Sequence, residues 1–151
     1  MNFNKLKNYF DETGNLFKNK PVIAFVILWM CYNNYYNKWN KGTERERACR
    51  LSQNKKSQRI YEKYKEKILQ EFSKLSNEGK KREFVRNVNG KEVFFNAEHC
   101  KLKDFLNVVY QIRCNLFHGG KTPFNTVDEE LIQWAYEYLY IILHESKSNL
   151  F

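Results

Sequence analysis

A chain of 151 residues is long enough for one domain with a hydrophobic core, and its 12 phenylalanines, 10 tyrosines and 3 tryptophans supply bulky side chains for that core. Its 26 lysines and arginines exceed its 17 aspartates and glutamates to give a net charge of +9, which favours an anionic partner, a nucleic acid before a membrane. Four cysteines without a CxxC pair exclude a disulfide framework and a zinc-finger set of ligands.

Two helices are predicted near the start of the chain. The first carries an apolar stripe at Phe3, Leu6, Phe10 and Phe17. Gly14 weakens this helix, and the Asn-Lys-Pro sequence at 19 to 21 ends it. Pro21 suits the first turn of a second helix, about 21 to 39, whose wide apolar surface indicates a central position in the fold.

The longest apolar run, Val22 to Tyr32, lies in this second helix. Its eleven residues are too few to span a bilayer, and Asn33 and Asn34 follow it directly. It follows Asp11 and Glu12 and lacks a small-residue cleavage site, so it does not have the pattern of a signal peptide. We therefore expect a cytoplasmic protein with no membrane association, which agrees with free thiols.

Two further helices are predicted between residues 43 and 75. Thr43, with Glu46 three residues later, forms a possible capping box that opens a polar helix with the sequence ERERACRLSQ. From about 56 to 75 the apolar residues repeat at intervals of four, four, four and three: Ile60, Tyr64, Ile68, Phe72 and Leu75. This interval predicts a long amphipathic helix whose outward face is lysine and glutamate.

The positive charge is concentrated in one section of the chain. Residues 38 to 91 hold 17 basic and 7 acidic side chains, a net charge of +10, while the rest of the chain is close to neutral. If this section binds RNA, Lys80, Lys81 and Arg82 are candidate phosphate contacts. The alternative is a solvated helix surface with no ligand.

The pattern changes from helical to alternating after residue 82. The sequence EFVRNVNGKEVFFN carries Asn89-Gly90 between two segments rich in β-forming residues, which predicts a small hairpin at about 83 to 96. Near the C-terminus, Thr126 and Glu129 form a second possible capping box for a helix over 127 to 146. That helix is apolar around most of its circumference, which indicates a buried position or an interface with a partner subunit.

The segment between the hairpin and the last helix carries the candidate chemistry. Its apolar stripe, Phe105, Val109, Ile112 and Leu116, has the spacing of one buried helix face. Arg113 and His118 lie five positions apart on this helix, and Gly119 suits the residue that ends it. Five positions in an ideal helix leave two side chains roughly 140° apart, so His118 is expected to act from the last turn.

This segment resembles the signature of the HEPN family of small all-helical domains, in which an arginine is followed after four residues by a histidine. Arg113 and His118 match both positions, and the sequence LFHGGK at 116 to 121 is similar to the wording of many members. Cys114 departs from the pattern, since Asn, Asp or His is usual there, although Asn115 follows at once. A second resemblance, to an early helix of the family, is carried by Trp29, Tyr32, Asn33 and Tyr36.

The resemblance implies a single HEPN-like all-α bundle of about four to six helices over residues 1 to 151. It further implies a metal-independent endoribonuclease of the toxin or antiviral-defence type, with no cofactor and with a composite catalytic site in a homodimer. Arg113 and His118 would be catalytic, with Asn115 and Lys121 as nearby nucleic-acid contacts. An antitoxin or a nucleotidyltransferase is a possible partner in such systems. The alternative is a non-catalytic HEPN-like module that binds RNA, a nucleotide or another protein.

Arg113 and His118 also have possible roles that are purely structural. Arg113 is able to pair with a helix carboxylate such as Asp104, with Glu98, or with the acidic start of the last helix at 128 to 130. His118 is able to stabilise the C-terminal end of its helix by roughly 0.3–1 kcal/mol as a cation. A metal site formed by His99, Cys100, Cys114 and His118 matches no known ligand spacing and is disfavoured.

Overall fold

A computed structural model describes the chain at residues 3 to 75, 79 to 87, 89 to 118 and 126 to 150, with the side chains of 3, 4, 118, 126 to 128 and 147 to 150 left out. In these ranges the fold is an all-α bundle with one small antiparallel hairpin, as the sequence predicts. The helices are α1 (Phe3–Phe17), α2 (Pro21–Tyr36), α3 (Glu44–Ala48), α4 (Lys55–Lys74), α5 (Leu102–His118) and α6 (Thr126–Leu150), with a short 3-10 turn at Arg50–Gln53. The strands are β1 (Phe84–Arg86) and β2 (Glu92–Phe94).

The C-terminal helix α6 lies at the centre of the packing. It contacts α2, α4 and α5, and it buries residues around most of its circumference, from Leu131 through Trp134 and Tyr138 to Leu143. The wide apolar surface of this helix is therefore covered within the chain. Since that surface was one of the two reasons for expecting a dimer, only the composite site implied by the resemblance still supports that expectation.

The polar segment after Thr43 is not one helix, as its sequence predicts, but two short elements. The Thr43 hydroxyl accepts a hydrogen bond from the Glu46 backbone N–H at 3.2 Å, which confirms the predicted cap of α3. In a continuous α-helix the Ser52 N–H would bond to the Ala48 carbonyl. The buried Tyr32 hydroxyl donates to that carbonyl here, and the Ser52 N–H donates to the Cys49 carbonyl at 3.1 Å. This 3-10 bond tightens the chain where α3 ends.

The hairpin forms where it is predicted, but its turn differs from a two-residue Asn89-Gly90 connection. The strands pair as Phe84 with Phe94, Val85 with Val93 and Arg86 with Glu92, so five residues connect them. The Asn87 side-chain oxygen accepts from the backbone N–H groups of Asn89 and Lys91, both at 2.9 Å. Gly90 takes the positive φ of +82° that this turn needs.

Helix α2 ends three residues earlier than the sequence predicts. Its last residue is Tyr36, and the backbone N–H groups of Lys38 and Trp39 form turn hydrogen bonds to the carbonyls of Tyr35 and Tyr36. None of the helices in the described ranges combines the length and apolar character that a membrane crossing requires.

Candidate functional site

Arg113 and His118 lie in the last two turns of α5, as the sequence predicts. His118 is the last residue of this helix, and its side chain lies outside the described residues. The predicted stripe is confirmed, because Phe105, Val109 and Ile112 are buried and Leu116 is partly buried. Packing along this stripe fixes α5 against the bundle, so the positions of residues 113 and 118 are set by a rigid element.

Arg113 is half-buried, and its ionic partner is one that the sequence did not indicate. Its side chain is 17% exposed, and its Nη2 lies 3.5 Å from Glu44 Oε1 at the start of α3. The expected partner Asp104 instead accepts a hydrogen bond from the Lys101 backbone N–H at 2.9 Å. Among the described residues, neither Asp104 nor Glu98 forms an ion pair with Arg113, because Glu44 occupies the space beside the guanidinium.

The guanidinium of Arg113 keeps donor capacity that its neighbours do not use. Its plane lies near the rings of Phe117 and Tyr110, with centroid distances of 5.2 Å and 5.9 Å. Nη1 makes only a long contact of 3.9 Å to the Cys114 sulfur, and Nε is buried without an acceptor in the described part of the chain. An arginine carries five N–H donors, so one ion pair of 3.5 Å leaves Nη donors for a further anion.

Glu44 connects Arg113 to two tyrosines. The Tyr36 hydroxyl donates to Glu44 Oε1 at 2.9 Å, and the Tyr110 hydroxyl lies 3.5 Å from Oε2. Burial, and then the hydrogen bond to Glu44, raise the pKa of Tyr36 above its ordinary range. Burial and the neighbouring Cys114 and Glu44 raise the pKa of Tyr110 to about 12. Both phenols therefore remain protonated near neutral pH and act as donors to the carboxylate.

The two segments that carry the resemblance meet at this cluster. Trp29 on α2 packs against Tyr110 on α5, with ring centroids 6.1 Å apart, and Tyr36 on α2 reaches Arg113 through Glu44. Trp29, Tyr32 and Tyr36 are all buried. The early aromatic helix thus supports the helix that carries Arg113.

Asn115 is oriented into the fold and is 8% exposed. Its amide oxygen accepts from Gln111 Nε2 at 2.8 Å, and its amide nitrogen donates to the Arg86 carbonyl at 2.7 Å. The amide nitrogen therefore ties α5 to the hairpin, while the amide oxygen bonds within α5. This placement differs from the surface contact with nucleic acid that the sequence suggests for Asn115.

The proposed basic contacts after α4 have different environments. Lys80 and Lys81 are exposed, whereas Arg82 is only 9% exposed. Arg82 Nη1 donates to the Phe84 carbonyl at 3.1 Å, and its guanidinium lies 6.0 Å from the centre of the Phe72 ring. Arg82 thus fixes the start of the hairpin and offers little surface to a phosphate. Lys121 lies outside the described residues.

Arg45 is a site residue that the sequence did not single out. Its guanidinium lies 4.6 Å from the centre of the Tyr110 ring, on a ring that Arg113 also approaches. It donates to the side-chain oxygens of Asn107 and of Gln111, the latter at 2.7 Å. The capping box at Thr43 was the available signal for Arg45, because it places Arg45 in the first turn of a helix.

The cysteines do not form a site in the described structure. Cys31 and Cys49 are buried, and burial raises the pKa of each thiol to about 11, which makes a reactive thiolate unfavourable. No three side chains of His, Cys, Asp or Glu come together as a metal-binding group within the described ranges.

No family model matches the sequence, and neither a curated protein nor a solved structure is significantly similar to it.

Proposed function

We propose that this protein is a HEPN-type endoribonuclease that cleaves RNA by attack of a ribose 2′-hydroxyl on the adjacent phosphate. The observation that carries the proposal is the convergence of the two HEPN-like segments on one cluster, in which α2 supports Arg113 through Tyr36 and Glu44. The sequence pattern of neither segment predicts that the two are in contact. Their contact therefore supports the proposal independently of the Arg113 and His118 motif. The fold, an all-α bundle with a small hairpin, is compatible with the family.

The chemistry needs only the two residue types of the motif. A histidine changes protonation near neutral pH, so His118 would take the proton of the 2′-hydroxyl or give one to the departing 5′-oxygen. The guanidinium of Arg113 would donate to the phosphoryl oxygens as their negative charge increases. The products would be a 2′,3′-cyclic phosphate and a 5′-hydroxyl.

A composite site in a homodimer follows from the position of the two residues on one helix. Because α5 continues to His118 without interruption, positions 113 and 118 lie roughly 140° apart around the helix axis. A twofold axis near the end of α5 would bring Arg113 of one subunit towards His118 of its mate. The functional unit we propose is therefore a homodimer.

The first experiment measures cleavage of a generic single-stranded RNA. His118→Ala should lower the rate by about 10² to 10⁴, the usual contribution of a general acid or base. Arg113→Ala should lower it by about 10² to 10³, and Arg113→Lys should restore little, because an ammonium cannot make the bidentate contact. Products should carry cyclic phosphates, and replacement of the 2′-hydroxyl by hydrogen should abolish cleavage.

Matched controls separate the site from general effects on the protein. His144→Ala removes an exposed histidine that stacks on Tyr140, and Arg59→Ala removes an exposed arginine on α4. Both variants should cleave as the wild type does. Absence of cleavage by the wild type over a range of RNAs and pH values would refute the proposed endoribonuclease activity.

The composite site has its own test, based on subunit exchange. A mixture of the Arg113→Ala and His118→Ala proteins should cleave RNA faster than either variant alone, because mixed dimers bring an intact arginine towards an intact histidine. A mixture of Arg113→Ala with the Arg113→Ala/His118→Ala double variant should show no such gain. Equal rates for the two mixtures would place the whole site within one subunit.

One observation favours the second candidate function, a non-catalytic module that binds RNA. The ion pair to Glu44 and the contacts to Tyr110 and Phe117 give Arg113 a structural role that needs no reaction. In this case Arg113→Ala should reduce stability, and the wild type should bind RNA without cleaving it.

A further inference from the structure

A polar cavity of about 330 Å³ opens between the hairpin and the N-terminal half of α5. This volume lies at the lower end of the range for small-molecule and cofactor sites. Phe94 and His99 form part of its wall on the hairpin side, and Asn107 and Gln111 form part of it on α5. Arg113 does not line this cavity, whereas Arg45, which lies near the same Tyr110 ring, does.

An exposed aromatic ring borders this cavity. Phe94 is 43% exposed, which is unusual for a large apolar side chain in a structure whose other aromatics are mostly buried. Its ring is held by Phe84 across the hairpin, at 5.8 Å between centroids, and by His99 at 6.1 Å. The ring is therefore fixed in place with one side available, as in a platform on which a nucleobase stacks.

The cavity is also lined by an arginine whose hydrogen-bond partners carry no charge. Arg45 reaches it through hydrogen bonds to the amide oxygens of Asn107 and Gln111, which carry no charge. No carboxylate pairs with Arg45 within the described ranges, whereas Arg113 is paired with Glu44. Lys91 adds a second cation to the wall. Arg45 is consequently the better placed of the two arginines to attract an anion in the resting protein.

Two carboxylates also line the cavity, and each has another partner. Glu92 forms an ion pair with Arg86 at 3.5 Å across the hairpin. Asp104 accepts the Lys101 backbone N–H in the first turn of α5. Of the two carboxylates only Glu92 has a cationic partner, because the backbone N–H that Asp104 accepts carries no charge. Arg45 and Lys91 therefore balance the two carboxylates, and the lining of this cavity is formally neutral.

A second cavity, of about 570 Å³, adjoins the first. The two share Arg45 and Asn107, and the second is lined in addition by Arg50, Lys103 and Glu46, so its three cations exceed its one carboxylate. Arg50 is held by the Lys41 carbonyl at 3.2 Å and lies 6.0 Å from the centre of the Trp39 ring. Together the cavities form a groove with an aromatic platform at one end and three cations, Arg45, Arg50 and Lys103, along it. We call this the Arg45 groove.

We infer that the Arg45 groove binds single-stranded RNA, with one unstacked base on Phe94 and the following phosphates on Arg45, Arg50 and Lys103. A stacking ring next to a line of cations is the arrangement by which proteins hold single strands without reading their sequence. A duplex would not enter, because its bases are already stacked and paired. The inference names the substrate class for the proposed nuclease, and it stands on the groove even if His118 performs no chemistry.

The experiment measures binding apart from cleavage. The probe is a fluorescein-labelled single-stranded oligoribonucleotide of about ten nucleotides, and the full-length protein carries His118→Ala so that the probe survives. Adding Phe94→Ala should weaken binding about fivefold or more, the usual loss on removing a stacking ring. Arg50→Gln should weaken it and also reduce its dependence on salt, because one phosphate contact is lost.

Matched variants keep the test specific. Tyr9→Ala removes another exposed aromatic, on α1, and Arg59→Gln removes another exposed arginine, on α4; both should bind as the parent does. Phe94→Trp should keep the affinity, and the fluorescence of the new indole should be quenched by the RNA. This fluorescence change tests the platform even if Phe94→Ala disturbs the hairpin, because Phe94→Trp keeps an aromatic ring at this position.

Three results would overturn the inference. The first is equal affinity of Phe94→Ala and Tyr9→Ala for the probe. The second is a Phe94→Trp fluorescence that RNA leaves unchanged, and the third is equal affinity for the single strand and its duplex. If RNA binding depends on the Arg45 groove but the wild type does not cleave RNA, the proposed nuclease is refuted and the inference about the groove is retained.

Discussion

Glu44 is the residue on which the arrangement around Arg113 depends. Its carboxylate is one-third exposed, and it accepts from Tyr36 while it pairs with Arg113. An ion pair of this kind is less screened than one on the surface, because one of its members is half-buried. Loss of Glu44 would leave the guanidinium of Arg113 with fewer partners in a site of low polarity.

The strength of this pair is measurable in a double-mutant cycle. For Glu44→Ala and Arg113→Ala, the free energy of unfolding in urea should show a coupling of about 0.5–3 kcal/mol, as for residues that share a network. The more exposed pair of Glu62 and Lys65, 3.7 Å apart on α4, is the control, and its coupling should not exceed about 0.5 kcal/mol. A coupling no larger than that of the control would mean that Glu44 does not hold Arg113.

Cys114 bears on the same cluster. Its sulfur lies 3.9 Å from Arg113 Nη1, at the position where HEPN members usually carry a polar residue. If the proposed site is built as HEPN sites are, Cys114→Asn should maintain or raise the rate of RNA cleavage, because the amide is a stronger hydrogen-bonding partner than the thiol. The rate is compared with that of Cys100→Asn, and a large loss confined to Cys114→Asn would mean that the site is built differently.

At the scale of the elements, the hairpin positions the platform residue Phe94, and its turn depends on Gly90. A Cβ at Gly90 would meet nothing within 4 Å, so the backbone conformation alone sets the cost of a substitution. Gly14 offers a contrast, since it lies inside α1, and a Cβ there would meet only the Tyr140 hydroxyl at 4.0 Å.

The two glycines should therefore respond to alanine with opposite signs. Gly90→Ala should lower the free energy of unfolding by about 1–2 kcal/mol, the cost of a left-handed conformation with a side chain. Gly14→Ala should raise it by about 0.5–1 kcal/mol, the gain expected inside a helix. Chemical denaturation of both variants checks this. A Gly90→Ala protein with the same free energy of unfolding as the wild type would show that the turn adopts another conformation at no cost.

The sequence predicts the helices well because their apolar residues recur at regular intervals, and it places the hairpin because the interval changes. It does not predict the break after Ala48, since the hydroxyl that caps the Ala48 carbonyl comes from Tyr32, sixteen residues earlier. For the same reason the sequence does not indicate Glu44 as the ionic partner of Arg113. Glu44 reaches Arg113 only after α3 packs on α5, and no local pattern encodes that contact.

At the scale of the whole molecule, tyrosine hydroxyls connect elements that lie far apart in the chain. The Tyr61 hydroxyl donates to the Cys100 carbonyl at 2.6 Å, and the Tyr138 hydroxyl donates to Glu71. Tyr32 and Tyr36 do the same between α2 and α3. Each phenol fills the core with its ring and satisfies a polar group with its hydroxyl, which is how an aromatic core accommodates polar atoms.

This arrangement predicts a loss of stability at alkaline pH. Burial raises the pKa of Tyr32, Tyr61 and Tyr138 above the ordinary value of 10.0, and it raises that of Tyr136 to about 12. Above pH 10 the unfolded chain therefore loses protons that the folded protein retains, so the free energy of unfolding is highest below the ordinary pKa and falls as pH rises.

Urea unfolding at a series of pH values, read together with tyrosinate absorbance, checks this sign. Stability should be steady up to about pH 9 and fall steeply from about pH 10 to about pH 12. Tyrosinate should appear in step with unfolding rather than before it. Ionisation of most tyrosines in a protein that remains folded would contradict the burial described for them.

The start of α3 provides a route for thermodynamic linkage between Arg113 and the Arg45 groove. Glu44 pairs with Arg113, and the next residue, Arg45, donates to Asn107 and Gln111 and lies near the Tyr110 ring, as Arg113 does. Two consecutive residues thus connect the proposed catalytic arginine to the groove. If an anion that draws Arg45 away from α5 also displaces the backbone that carries Glu44, occupancy of the groove changes the free energy of anion binding at Arg113. The coupling must be reciprocal, so a phosphate bound at Arg113 would change the affinity of the groove by the same factor.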